Sequence, residues 1–320
     1  MYLCRRIFEK LCNMKKYVFS LLVMAVLVAA FTSCKPDEEI YNPTCKISKI
    51  WYRSNSDWDH PNEHFIYDSK GQQIQQIIID SLYSFDFSYN KDQTVSKIVH
   101  VDKDYTETID LQWTNRLLDK MTYTIDGAVR LEYTVHRIDN KKDKAYGRIS
   151  YIDEMYDREF YDQYYWKKAK HPLYDMVFGN YEKISEIFRT SESKDLIMYS
   201  VKRFTYDPGK HKTYDNIATY VEEFPIKQTV ITHTYTYDVK SYNPFYGLVF
   251  AYADMKGYYL NLPLTEHVET VVAGNLSKVE DITFSYEGTN YMNDKHYPRQ
   301  WKTKSSETGF PTSTFILYKK

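Results

Sequence analysis

The sequence predicts an all-β protein: an antiparallel meander of long hairpins forming a curled or barrel-like sheet, preceded by a signal-peptide helix. Three observations carry this. Tyrosine is in large excess, with 33 Tyr against 16 Phe and 5 Trp, and Tyr suits strands because its ring packs on a pleated surface while its hydroxyl stays wet. From Cys45 onward apolar residues alternate with a period of two, the spacing of side chains on one face of a strand. A short aromatic motif then returns at the spacing of one hairpin.

The amino terminus comes first. Met14-Lys15-Lys16 opens a charged stretch, Val18 to Phe31 is almost wholly apolar, and Thr32-Ser33-Cys34 follows. A positive start, a short apolar core and small residues before a break form a secretory signal. That core is too short to span a bilayer, which needs about 20 residues. Met14 begins a complete signal by itself and is the expected start. The expected organisation is a signal peptide over 1–33, an acidic tether over 34–44 and a single β-rich domain over 45–320.

Phe31-Thr32-Ser33-Cys34 resembles the bacterial lipobox, and Lys35-Pro36-Asp37-Glu38-Glu39 resembles the Bacteroidetes lipoprotein export signal. The first resemblance implies lipidation at Cys34. The second implies that Lys35, Asp37, Glu38 and Glu39 direct the chain to the outer membrane, facing the cell exterior. The expected membrane partner is therefore outer-membrane lipid, through an acyl anchor. Each buried methylene of such a chain contributes about 0.8 kcal/mol. Lipidation of Cys34 and loss of Cys4 and Cys12 with the leader would leave Cys45 as the one remaining cysteine, so no disulfide framework is expected.

In the body, His64-Phe65-Ile66-Tyr67 alternates and breaks at Asp68-Ser69-Lys70-Gly71, where Asp opens a turn and Gly supplies a positive φ. Phe85-Asp86-Phe87-Ser88-Tyr89 leads over Lys91-Asp92-Gln93 into Thr94-Val95-Ser96-Lys97-Ile98. Ile109-Asp110-Leu111-Gln112-Trp113 leads over Thr114-Asn115-Arg116 toward Leu118 and Met121. Echoes follow at Phe204-Thr205-Tyr206-Asp207, Tyr235-Thr236-Tyr237-Asp238 and Phe284-Ser285-Tyr286-Glu287. The middle is less regular. Residues 153–171 read as a long loop or a short helix. Residues 241–264, with Pro244, Gly247, Gly257 and Pro263, read as turns around one buried strand.

This aromatic-x-Tyr-Asp hairpin pattern resembles the YD-repeat of large secreted β-shells. It also resembles an uncharacterised family of Bacteroidetes surface lipoproteins described as porin-like in fold. The resemblance implies a soluble, curled sheet and carries no catalytic residue. The outward positions of the clear hairpins are Gln, Lys, Asp, Thr and Ser, whereas a membrane-spanning barrel needs an apolar outer band.

Charge excludes some function classes. The chain holds 42 basic and 43 acidic side chains. Residues 1–33 take five of the basic and one of the acidic, leaving about −5 on the mature chain. No basic surplus marks a nucleic-acid partner or a polybasic lipid-binding patch. No nucleophile-elbow, phosphate-loop or dinucleotide motif occurs, so no catalytic residue, metal ligand or cofactor is expected and the protein reads as non-enzymatic. Asp57-Trp58-Asp59-His60-Pro61-Asn62-Glu63-His64 gathers metal-type ligands but matches no known spacing and reads as a polar loop. Asp153, Glu154, Asp157, Glu159 and Asp162 interleave with rings, and paired carboxylates would serve glycoside hydrolysis. Tyr161, Tyr164, Tyr165 and Trp166 are candidate glycan contacts, and Ser81 in Asp80-Ser81-Leu82 is a candidate O-glycosylation site. Three functions stay open: a non-enzymatic binding or structural module, a glycan-binding or carbohydrate-active accessory protein, and a carrier of a hydrophobic ligand.

Overall fold

The computed structural model describes residues 41–52, 60–138, 148–156, 171–178, 197–206, 216–225, 227–248, 258–286, 293, 295–309 and 311–319. The expected leader, Cys34 and Lys35, Asp37, Glu38 and Glu39 lie outside these residues. Among the described residues sixteen strands close into one antiparallel barrel, each strand hydrogen-bonded to its neighbours in sequence. They are β1 Ile47–Tyr52, β2 Glu63–Tyr67, β3 Ile74–Ile79, β4 Tyr83–Tyr89, β5 Val95–Val101, β6 Thr106–Thr114, β7 Leu117–Ile125 and β8 Ala128–Arg137. The second half is β9 Ile149–Tyr156, β10 Ile197–Tyr206, β11 Ile217–Phe224, β12 Thr229–Tyr242, β13 Asn261–Val272, β14 Asn275–Ser285, β15 Gln300–Ser305 and β16 Pro311–Tyr318. Pairing of β1 with β16, Ile47 opposite Tyr318 and Ile50 opposite Ile316, closes the wall.

The predicted meander is thus realised, and the sheet closes. The turns form as their residues dictate. Asp68 Oδ1 accepts from the backbone N–H of Gln72 at 2.6 Å and of Gln73 at 3.2 Å, while Gly71 at φ 68° completes the turn. Asp126-Gly127, at φ 49° and 81°, forms the two-residue hairpin whose twist matches the flanking strands.

Alternation decides the two faces. Along β6, Glu107, Ile109 and Leu111 are buried while Thr108, Asp110 and Gln112 are not. The inner face packs Ile77, Phe85, Ile98, Ile109, Met121, Tyr123, Leu131, Tyr133 and Ile152 into one core. The outer face carries paired charges, among them Lys97 with Asp110 at 3.0 Å, Lys120 with Glu132 at 2.6 Å and Arg203 with Glu223 at 3.2 Å. A barrel crossing a bilayer would bury such groups at roughly 2–4 kcal/mol per Lys or Arg at mid-depth.

Among the described residues, two inner pieces pack inside the barrel. Helix α1, Pro172–Phe178, seats Tyr174 against Tyr123, ring centres 5.7 Å apart. Residues 243–248 and 258–260 form the other. Tyr258 meets Tyr133 of β8, hydroxyls 3.3 Å apart, and the adjacent Tyr259 packs on Tyr235 of β12 at 5.1 Å, so this pair bridges the interior.

Two expectations are corrected. Residues 153–156 belong to β9 rather than to a loop or helix, because their alternation continues the strand: Asp153 faces out and Glu154 in. Pro263 is not a turn residue but lies within β13, where a register shift beside Tyr237 relieves the ladder of the N–H that proline lacks.

Candidate functional site

The barrel has two rims. β1 starts and β16 ends at one of them, here the terminal rim; the other is the distal rim. The sequence repeat builds the terminal rim. Tyr67 of β2 donates its hydroxyl to the Ile47 carbonyl at 2.6 Å, Tyr89 of β4 to Ile74 at 2.8 Å, and Trp113 Nε1 of β6 to Val95 at 2.7 Å. Tyr206, Tyr237 and Tyr286 make the same bond to Ile149, Ile217 and Pro263. Each ring at the end of an even strand thus ties off the start of the odd strand before it. The pattern completes with two residues that the sequence repeat did not flag. Tyr318 donates to Pro298 and Arg137 Nη2 donates to Leu118 at 2.9 Å. Arg137 was missed because it does with a guanidinium what the others do with a ring.

In front of two of these rings, Tyr89 and Trp113, lies a cavity of about 160 Å³. Its apolar wall is Ile74, Phe87, Tyr89, Val95 and Trp113 from β3 to β6, closed by Leu248 of the inner segment. Because Tyr89 and Trp113 are held by their polar edges, their positions are fixed. Tyr41 reaches in from ahead of β1, its hydroxyl accepting from Ile47 N–H at 3.0 Å. Burial pushes the Tyr41 and Tyr89 phenols well above their usual range, so both stay neutral. The polar wall is Asn42, Gln72, Gln73, Gln93 and Thr94. Thr94 is satisfied locally, donating to Asp92 Oδ1 at 2.7 Å and accepting from Asn90 Nδ2 at 2.9 Å. The side-chain amides of Asn42, Gln72, Gln73 and Gln93 have no hydrogen-bond partner among the described residues. Each offers two donors and an acceptor. Among the described residues no ionisable carboxylate or amine lines the cavity. Nothing in the residue pattern of Tyr41, Gln72 and Gln93 marked them, since turns and barrel closure bring them together.

A second polar group lies on the inner face. Lys202 of β10 sits 2.8 Å from Glu154 of β9 and 3.6 Å from Glu222 of β11. Ser200 donates to the other oxygen of Glu154 at 2.9 Å. The two carboxylates hold the Lys202 ammonium above its usual range against the opposing effect of burial. A third group is Glu107, wholly buried. It accepts from Tyr123 Oη at 2.6 Å and from the Leu173 and Tyr174 N–H groups at 3.2 and 3.4 Å. His171 Nδ1 is 3.7 Å away. Burial raises Glu107 to about 7 and lowers His171 to about 4.

The residues singled out in the sequence are dispersed. Asp153 and Glu154 point to opposite faces, Asp153 meeting His136 outside at 2.9 Å, so they are not a catalytic pair. Asp157, Glu159, Asp162, Tyr161, Tyr164, Tyr165 and Trp166 lie outside the described residues. Glu63 and His64 alternate along β2 and face opposite ways, and His60 is exposed in the preceding loop. Among the described residues no three His, Cys, Asp or Glu side chains converge for a metal. Ser81 stands exposed in the turn between β3 and β4, at the distal rim, with φ 57°. Cys45 lies just before β1, its sulfur 3.4 Å from Asn293 Nδ2.

No protein-family model and no curated protein matches this chain. Among solved structures, a porin-like protein from Bacteroides vulgatus aligns with 86% of this chain and 99% of its own length, at 11% identity and a TM-score of 0.45. The barrel itself is given by the strand pairing described above.

Proposed function

We propose that this chain is a lipid-anchored envelope protein, non-enzymatic, whose barrel holds one uncharged sugar unit in the cavity at its terminal rim. The signal and lipobox-like residues 14–34 support the address, and the acidic tag at 35–39 supports the outer-membrane, outward-facing location. One observation carries the binding reading: four unengaged side-chain amides stand opposite the rings of Phe87, Tyr89 and Trp113 around one small cavity. A sugar ring presents hydroxyls at its edge and C–H groups on its faces, so amides and aromatic faces complement it together. About 160 Å³ accommodates one such ring, well below the roughly 300–1,000 Å³ of drug-sized sites. A carrier of hydrophobic ligand needs a hollow apolar interior. The described interior is instead packed by α1 and by the Phe245, Tyr258 and Tyr259 segment, with Tyr123 and Tyr133 fully buried.

The test is a glycan array followed by calorimetry. Gln72→Ala with Gln93→Ala should abolish saccharide binding without moving the thermal midpoint. Alanine at Tyr164, Tyr165 and Trp166 should leave binding intact. An array on which the native protein captures no saccharide would sink the proposal. Loss of binding only in the Tyr164 set would move the site to the segment between β9 and α1.

A further inference from the structure

A total charge near zero conceals an axial separation. Among the described residues outside strands, the terminal rim carries eight Lys or Arg and two Asp. The distal rim carries five acidic residues, Asp80, Asp102, Asp104, Asp126 and Glu307, and two Lys. The expectation of no polybasic patch followed from net charge, which cannot register charges sorted to opposite ends of one barrel. Lys70, Lys91, Lys295, Arg299 and Lys319 at the terminal rim are exposed. Its two carboxylates are occupied. Asp68 accepts backbone N–H groups within its own turn and lies near Lys46 and Lys319. Asp92 accepts from Thr94 and lies near Arg116.

The chain enters the barrel at this same rim. Tyr41 is seated there against Ile47 and lines the cavity. Six residues separate it from Cys34, seven chain steps with a reach of at most about 25 Å when fully extended. A tether that short keeps the terminal rim close to whatever surface holds Cys34.

We propose that the terminal rim docks on an anionic lipid surface, with the acidic distal rim turned away from it. This rests on the lipid-anchor reading for its geometry, and on the rim charges alone for its chemistry. Attraction of cations to anionic headgroups falls off within a Debye length, about 8 Å at physiological salt, so only the rim facing the membrane contributes. The opposite sign at the distal rim makes the reverse orientation unfavourable. The cavity then opens toward the membrane, which makes a sugar carried on a membrane headgroup its accessible ligand.

The experiment separates rim chemistry from anchoring. The mature chain, residues 34–320, is prepared with Cys34→Ala so that no acyl group contributes; residues 39–320 form a compact unit without the leader. It is floated with vesicles of phosphatidylcholine alone or with 30 mol% phosphatidylglycerol. Binding is expected to the anionic vesicles only and to weaken with added salt. Lys70→Gln, Lys91→Gln and Lys295→Gln together should weaken it about a hundredfold, at roughly fivefold per cation. Lys103→Gln at the distal rim should change nothing. None of these lysines lines the cavity, so saccharide binding is expected to survive in the triple variant. Equal binding to both vesicle types, or a triple variant that binds as tightly as the parent, overturns the proposal. So does a parent that fails to bind while Asp37→Asn, Glu38→Gln and Glu39→Gln together restore binding, because the rim would then be covered by its own acidic tether. Failure of the anchor reading is seen separately, as absence of acyl incorporation at Cys34 in cells.

Discussion

Glu107 and His171 are 3.7 Å apart, buried, and shifted in opposite directions. Their effects on stability should cancel in the native chain and separate when either is replaced. Glu107 rises from 4.5 to about 7 on folding. Its stabilising share is therefore complete below pH 4.5 and lost as pH rises toward 7. His171 falls from 6.5 to about 4. Its share is complete above pH 6.5 and lost as pH falls toward 4. Between pH 5 and 6 the folded pair is neutral and holds one proton. The unfolded pair, ionised at both residues, also holds one, so the native protein has no slope from this site. In Glu107→Gln only histidine titrates, and stability should rise by about 1.2 kcal/mol from pH 5 to 6. In His171→Phe, which keeps a ring against Tyr105, it should fall by about 1.2 kcal/mol, since one proton of difference is worth about 1.4 kcal/mol per pH unit. The two variants diverge by about 2.4 kcal/mol. At a urea m-value of about 3 kcal/mol/M this parts their midpoints by roughly 0.8 M. Urea titrations followed by tryptophan fluorescence at half-unit pH steps measure it. Parallel pH profiles for the two variants would refute the assignment of opposite shifts.

Three further outcomes are expected. Tyr237→Phe leaves the Ile217 carbonyl without its 2.7 Å donor and should cost about 1 kcal/mol in urea denaturation; an unchanged midpoint would remove the rim bonds from any role in stability. Lys202→Met strands two buried carboxylates and should cost about 3–5 kcal/mol, whereas adding Glu154→Gln and Glu222→Gln should recover most of it, read by the same titration. Cys34→Ala should abolish incorporation of labelled palmitate, and persistent labelling would place the acyl group elsewhere.

The hairpins were legible because each is local. Tyr67, Tyr89 and Trp113 recur at strand spacing, and Asp68 to Gly71 carries its own turn chemistry. Closure was not legible. The pairing of Ile47 with Tyr318 joins residues at the two ends of the domain, and no short window contains both. Pro263 misled because its missing N–H is tolerated only at a register shift that the neighbouring strand creates. The polar cavity was hidden for a similar reason: Asn42, Gln72 and Gln93 acquire meaning only when the segment ahead of β1 and two separate turns meet. Asp153 and Glu154 looked like partners in a polar run, but a strand sends adjacent residues to opposite sides.

The rim bonds also bear on how the barrel assembles. Seven of the eight span 15 to 23 residues, and closing so short a loop costs little chain entropy. Each of these seven hairpins therefore carries its own latch and forms early, within microseconds for an isolated unit of this kind. The seam between β1 and β16 has no such advantage, since it gathers the whole domain into one contact and must wait for the rest. Folding speed is then governed by that seam rather than by the repeated hairpins, and a chain re-cut at another turn, with its present ends joined, would move the slow step to the new opening.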